Sequence, residues 1–307
     1  MARIASDVTW LVGRTPLVEL RRLSPPTARI VAKLDAWNPS GSNKDRAALA
    51  MIRHAEHAGL LRRGGTIVEC SSGDLGIAIA AMGRRLGYRV VITMPEGASA
   101  RHRAMLRAFG AEIETTANPL GMRGAMVRAE EIAKKTPGAL CLQAFSNRAN
   151  TKAHLDTTAR EIWEDTDGGV GVVVVPIGSG GTASGCAAFF RDHGVPVVGV
   201  EPSRSPVVAG GTAGAHDIPG LGAGFVPEIL STRDLAEVVP VADGEAIAAA
   251  RAMAAEESLL VGPASGAVLH AALSIARRAA NEGKTIVAVL PDGGDRYADH
   301  PLFAERP

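Results

Sequence analysis

The chain is poor in cysteine, with three in 307 residues: Cys70, Cys141 and Cys186. An odd count without CxxC or Cys/His metal spacing argues against a disulfide framework or a zinc site, and three buried thiols in a reducing cytoplasm are the expectation. Charge of one sign is lacking too. Lysine and arginine (33) nearly balance aspartate and glutamate (32), and no run of like charge stands out, which argues against a nucleic-acid or anionic-membrane partner. No apolar run reaches membrane-spanning length, and no segment joins a basic start, an apolar core and a small-residue cleavage site. A soluble intracellular protein acting on small molecules is expected.

The length exceeds that of a usual single domain, so two domains are expected. From residue 47 the text alternates between two periods. AALAMIRHAEHAGLL (47–61) carries Leu49, Ile52 and Ala55 at helical spacing, and TIVEC (66–70) reads as a short buried strand. IAIAAMGRRLG and ARHRAMLRAFG (100–110) read as helices, RVVITM (89–94) and AEIETT (111–116) as strands. In the second half GVVVVP (171–176), PVVGVE (196–201) and TIVAVLP (285–291) read as inner strands of a parallel sheet. Between them lie the helices TASGCAAFFRDHG, GEAIAAARAMAAEE and SGAVLHAALSIARRAANEG. This alternation implies βαβ units and an α/β fold. The boundary is expected near QAFSNRAN (143–150), giving domains 1–149 and 150–307, with the first strands free to cross to the second domain.

Ligands of open α/β sheets collect at the carboxyl ends of the strands, which directs attention to glycine-rich turns. These are PSGSNK (39–44), SSGDLG (71–76), GSGGT (178–182), GPASGA (262–267) and PDGGDR (291–296). GSGGT follows a strand and opens a helix, a setting in which backbone N–H groups converge on an anion such as phosphate; it reads equally as a tight turn. The GKS/T ending of a nucleoside-triphosphate loop is missing. A dinucleotide site stays open, because Glu201 closes the next strand at the distance of a ribose-binding acid. Lys44, beside a helix N-terminus and Arg46, sits in a positive field that favours the neutral amine required for an imine; a solvated lysine is the alternative.

Taken together, NPSGSNKDR, SSGDLGIA, QAFSNRAN, GSGGTASG, VEPSRSPVVAGG, IPGLGAGFVP and PDGGDRY resemble the cysteine synthase/cystathionine β-synthase family of pyridoxal-phosphate enzymes, over nearly the whole chain from residue 13 to Tyr297. The resemblance implies fold type II, the tryptophan synthase β-like architecture: two α/β domains, each a twisted, mostly parallel sheet flanked by helices. It implies that Lys44 binds the cofactor aldehyde and acts as the acid-base group, and that Gly178, Ser179, Gly180, Gly181 and Thr182 cradle the cofactor phosphate. Ser71, Ser72, Gly73, Leu75, Gln143, Phe145 and Gly222 would contact the amino-acid substrate. Asp74, Ser265 and Asp292 would face the cofactor ring.

The implied activity is β-replacement on an activated serine, O-acetylserine or O-phosphoserine, through an aminoacrylate to cysteine or another β-substituted alanine, by a cytoplasmic homodimer. Four positions depart from the family pattern. Asp74 stands for Asn, Leu75 for Thr, Ala144 for a carboxylate-binding Gln, and Ala264 for a Ser at the pyridine nitrogen. Asp74 would repel an ionised ring oxygen unless one of the two carries a proton. These departures keep open an amine nucleophile giving a diaminopropionate-type product, as well as a catalytically silent homologue. A nicotinamide-dependent oxidoreductase using GSGGT and Glu201 is the reading outside the family. His154 and His216 are assigned no role.

Overall fold

A computed structural model describes residues 4–304. In chain order its elements are β1 (Leu17–Glu19), β2 (Arg29–Leu34), α1 (Lys44–His57), β3 (Thr66–Cys70), α2 (Asp74–Arg85), β4 (Arg89–Pro95), α3 (Ala100–Ala108), β5 (Glu112–Thr116), α4 (Gly121–Lys135) and β6 (Ala139–Cys141). There follow α5 (Arg148–Ala153), α6 (Arg160–Asp165), β7 (Val170–Pro176), α7 (Gly181–Arg191), β8 (Val197–Pro202), β9 (Glu237–Val241), α8 (Asp243–Glu257), α9 (Pro263–Ala276) and β10 (Thr285–Leu290). A π-helical turn, His154–Ala159, joins α5 to α6.

The chain forms two compact units. One comprises the residues up to Val12 together with Asn38–Asn150; the other comprises Gly13–Trp37 together with the chain from Thr151 onward.

The first unit is built on a four-stranded parallel sheet in the order β5-β4-β3-β6. Strand periodicity sends alternate residues to opposite faces. Ile67, Val90 and Ile92 pack with Met51 and Ile52 of α1 and Ile77 and Ile79 of α2, whereas Val68, Cys70 and Val91 pack with Ala125 and Ala129 of α4.

The second unit is built on a six-stranded sheet, β1-β2-β10-β7-β8-β9, parallel except for the β1–β2 pair. Here Val172 and Val174 meet Leu269, Ala272 and Ile275 of α9, while Val173 and Val175 meet Ala183, Cys186 and Phe190 of α7. Both faces are covered, so the central strands β7 and β10 are almost wholly apolar, and each fully buried valine contributes about 1.5 kcal/mol or more.

Two helix limits differ from the periodicity. The first long helix begins at Lys44 and ends at His57, because Gly59 takes φ +69° and releases the chain. Helix α9 stops at Ala276, where the buried Asn281 side chain donates to the carbonyl of Ile275 at 3.0 Å and caps it.

Candidate active site

In the first unit β3 and β6 are parallel neighbours, so the turns after them emerge at the same edge of the sheet. SSGDLG follows β3 and QAFSN follows β6. The Ser71 hydroxyl accepts from Gly76 N–H at 2.9 Å and Gly73 N–H at 3.3 Å, and donates to the Gly73 carbonyl at 3.2 Å. That hydroxyl, expected on the substrate, is spent inside the turn. Ser72 is exposed, Gly73 has open space where a Cβ would be, and the Ser71 hydroxyl on the Gly76 amide is the side-chain acceptor in the first turn of α2. What this loop offers an anion is the exposed Ser72 and the positive end of the α2 dipole.

Asp74 is the first residue of α2 and is buried; its Oδ1 lies 3.5 Å from Nε2 of the buried His102 on α3. The helix dipole favours a carboxylate at that end. Leu75 is buried behind it. His102 escaped the sequence reading, because a histidine within a surface-like helical stretch gives no sign of a partner 28 positions earlier.

Gln143 is exposed and adopts φ +55°, a left-handed conformation uncommon for a side-chain-bearing residue. The next residue, Ala144, is fully buried, and Phe145 packs against the α4 face of the sheet. Underneath lies Glu69, also missed by the sequence reading. Its Oε1 accepts from Cys70 N–H at 2.8 Å and its Oε2 from Ala144 N–H at 3.2 Å. Burial pushes its carboxyl up to about 7. Burial and the Glu69 charge raise the thiol of Cys70 and push that of Cys141 to about 12, so both cysteines are inert.

Lys44 opens α1. The turn before it is held by the buried Asp45, which accepts from Ser40 N–H at 2.7 Å and also takes the Ser40 hydroxyl. A Ser42 hydroxyl 3.3 Å from Lys44 N–H completes the staple. The lysine thus projects from a fixed backbone.

In the second unit the glycine loop leaves β7 and enters α7. Gly180 caps α7 at φ +89°, no side chain caps the helix, and its first turn holds no acidic residue. A Cβ on Gly178 would run into the carbonyl oxygen of Gly220, whose own loop turns through φ +92° at Gly220 and +62° at Gly222. Gly222 N–H donates to Ile177 O at 3.1 Å, so this second loop lies against the first. The result is a cradle with room only for backbone, a helix N-terminus without a counter-charge and the Thr182 hydroxyl: the donor set of an anion site. That hydroxyl lies 3.2 Å from Nε2 of the buried His154 in the π-helical turn. Histidine 154, given no role from sequence, therefore touches the loop.

Two further groups sit at the carboxyl edge of this sheet. Asp292, just past β10, accepts the Ser265 hydroxyl at 2.6 Å and Ser265 N–H at 2.8 Å, tying PDGG to the first turn of α9. Ala264 is buried beside it. Glu201 is occupied otherwise: its two oxygens accept from Val208 N–H at 3.0 Å and Ala209 N–H at 2.8 Å, and burial raises its carboxyl. A ribose-binding acid has to present those oxygens to a ligand, so the dinucleotide reading fails here.

Comparison with known proteins agrees with this geometry. The profile of the family described as "Pyridoxal-phosphate dependent enzyme" matches residues 8–292. Cysteine synthase A of Escherichia coli (strain K12) is 41% identical over 316 residues, covering 99% of this chain and 97% of that protein. Among solved structures, a cysteine synthase from Entamoeba histolytica superposes with TM-score 0.95 at 37% identity, covering 99% of this chain and 92% of that one. An O-ureido-L-serine synthase does so with TM-score 0.95 at 38% identity, covering 98% and 95%.

Proposed function

Because the chain belongs to the pyridoxal-phosphate dependent enzyme family, we propose that it carries out β-replacement on an activated L-serine, O-acetylserine in the first instance, giving cysteine or another β-substituted alanine. The observation that carries this reading is Lys44, a lysine at the first position of a helix on a turn stapled by Asp45. Pyridoxal phosphate bound to that amine supplies an electron sink for the α-carbon.

The residues present fit that group. Gly178, Ser179, Gly180, Gly181 and Thr182 would take its phosphate, since they form a backbone-lined cradle at an uncapped helix N-terminus. Asp74, Ser265 and Asp292 are assigned to its ring. The Lys44 amine takes the proton from the substrate Cα and returns it. Ser72, Gly73 and the α2 amides bind the substrate carboxylate, aided by the positive end of the helix dipole. Leu75, Gln143, Phe145 and Gly222 are assigned to the amino acid by the same reading.

The test is spectroscopic. Protein supplied with pyridoxal phosphate absorbs in the visible, loses that band to borohydride, changes spectrum with O-acetylserine, and forms cysteine once sulfide is added. A protein without a visible band sinks the reading.

An amine nucleophile is a second reading, and the buried Asp74–His102 pair favours it. An ammonium must lose a proton before it attacks, and a carboxylate-imidazole pair is suited to accept it, whereas sulfide ionises near neutral pH without help. Higher kcat/KM with an amino-acid amine than with sulfide would establish this version; activity with sulfur nucleophiles alone would exclude it.

The proposed assembly is a cytoplasmic homodimer, to be checked by light scattering. Exposed Trp10 and Trp37 are available to an interface, and no helix among the described residues is long and apolar enough to cross a membrane.

A further inference from the structure

Glu69 is a buried carboxylate in the middle of the first unit's sheet, 1% exposed, with no metal-binding cluster around it among the described residues. Desolvating such a group is costly, and a well-packed apolar residue of the same volume is often neutral or better for stability. Its presence calls for a different explanation, and its bonds supply one.

Strand β3 ends at Cys70, and the substrate loop begins at Ser71. Glu69 Oε1 holds the Cys70 amide at 2.8 Å, one residue before that loop. Across the sheet, β6 pairs with β3 up to Cys141, and Leu142 N–H donates to Val68 O at 3.2 Å. There the chain leaves the sheet through Gln143 at φ +55°. Glu69 Oε2 holds the next amide, that of Ala144, at 3.2 Å. On its far side the Ala144 carbonyl accepts from Asn150 Nδ2 at 3.0 Å. The peptide of Ala144 is therefore gripped from both ends, and one carboxylate ties the 143–144 turn to the start of SSGDLG.

We infer that Glu69 is a positioning residue for substrate binding: its two oxygens set the left-handed turn at Gln143–Ala144 and align it with the 71–76 loop, so that both present their donors to one amino-acid carboxylate. This rests on the proposed function for the identity of the ligand, though the clamp itself does not. In its ionised form the group can accept from a different amide on each oxygen. A glutamine presents an NH₂ group to one of them, which repels it. Preorganising two loops this way acts on the affinity for the amino acid rather than on the covalent chemistry at Lys44.

The experiment compares holoenzyme of wild type and Glu69→Gln. The inference expects KM for O-acetylserine to rise about tenfold with kcat little changed, and the visible spectrum before substrate to be unaltered. It also expects amide hydrogen exchange to speed up across residues 142–147 while the strands of the sheet stay protected. Asn150→Ala, which removes the other grip on Ala144, should give a smaller rise in KM and faster exchange in the same segment. Unchanged KM and exchange in Glu69→Gln would overturn the inference. So would exchange accelerated over the whole sheet, or a kcat loss without a KM change, because Glu69 would then serve only the fold or the chemistry. If Glu69→Gln does not fold, normal KM and exchange in Asn150→Ala would overturn the clamp. If the wild type shows no response to O-acetylserine, the proposed substrate fails, and exchange at 142–147 in the two variants still decides the clamp.

Discussion

The imidazole Nε2 of His154 lies 3.2 Å from the hydroxyl of Thr182, and its Nδ1 lies 2.9 Å from the hydroxyl of Thr158. The ring bridges the π-helical turn and the first turn of α7, fixing a hydroxyl that belongs to the anion cradle. Such turns are rare and concentrate at functional sites. Replacing His154 by Phe keeps the bulk and removes the bond. The cofactor dissociation constant, read by fluorescence titration, should rise about fivefold to tenfold, the worth of one net hydrogen bond. An unchanged constant would mean that Thr182 is oriented by other groups.

Gly178 tests the same cradle from its floor. An alanine there would drive a methyl into the Gly220 carbonyl and push apart two loops now joined by the Gly222 amide at 3.1 Å from Ile177 O. Gly178→Ala should lose about 1–3 kcal/mol of stability and retain less cofactor on dialysis. Gly244→Ala, in α8 with open space around it, is the control and should be neutral or stabilising by about 0.5–1 kcal/mol.

Ser71 holds its own turn. Ser71→Ala leaves the Gly73 and Gly76 amides without their hydroxyl acceptor, which should cost about 1–2 kcal/mol in urea denaturation and weaken substrate binding in parallel. A variant as stable as wild type but weaker in binding would return the Ser71 hydroxyl to the substrate.

Glu69 gives stability a pH dependence of definite sign. Burial raises its carboxyl from the ordinary 4.5 to about 7 in the folded protein. The unfolded chain therefore releases the proton first. The stabilisation is complete below about 4.5 and is lost as pH rises through about 7, by on the order of 3 kcal/mol. Glu69→Gln lacks this slope. The stability of wild type relative to Glu69→Gln should be greater at pH 5 than at pH 8 by thermal or urea denaturation. A gap that widens with rising pH would contradict the assignment.

The βαβ core was legible because β3, β4, β7, β8 and β10 are short apolar runs, and the glycine turns after β3, β7 and β10 mark the strand ends where donors gather. The first strands were expected to cross to the second domain, but the bounds and pairing of β1 and β2 were not legible. Strand β2 contains Lys33, which reads as a solvent-facing residue, yet it is fully buried, donates to Thr15 O at 2.5 Å and pairs with Glu161 at 2.8 Å; its strand neighbour β10 comes some 250 residues later. Helix α4 was hidden by glycines at 121 and 124, which lower helix propensity. Within the site, motif residues could be named from their loops, whereas His102, His154 and Glu69 act through partners far away in sequence, and no local pattern announces such pairs. The sequence also could not tell that the oxygens of Glu201 and the hydroxyl of Ser71 are committed to neighbouring backbone amides.

The most direct measurement is the site of covalent attachment. Holoenzyme reduced with borohydride, digested and examined by mass spectrometry should carry the pyridoxyl group on the peptide containing Lys44, and Lys44→Ala protein treated in the same way should carry none. A label on a different lysine, or an unlabelled Lys44 peptide from protein that forms cysteine, would contradict it.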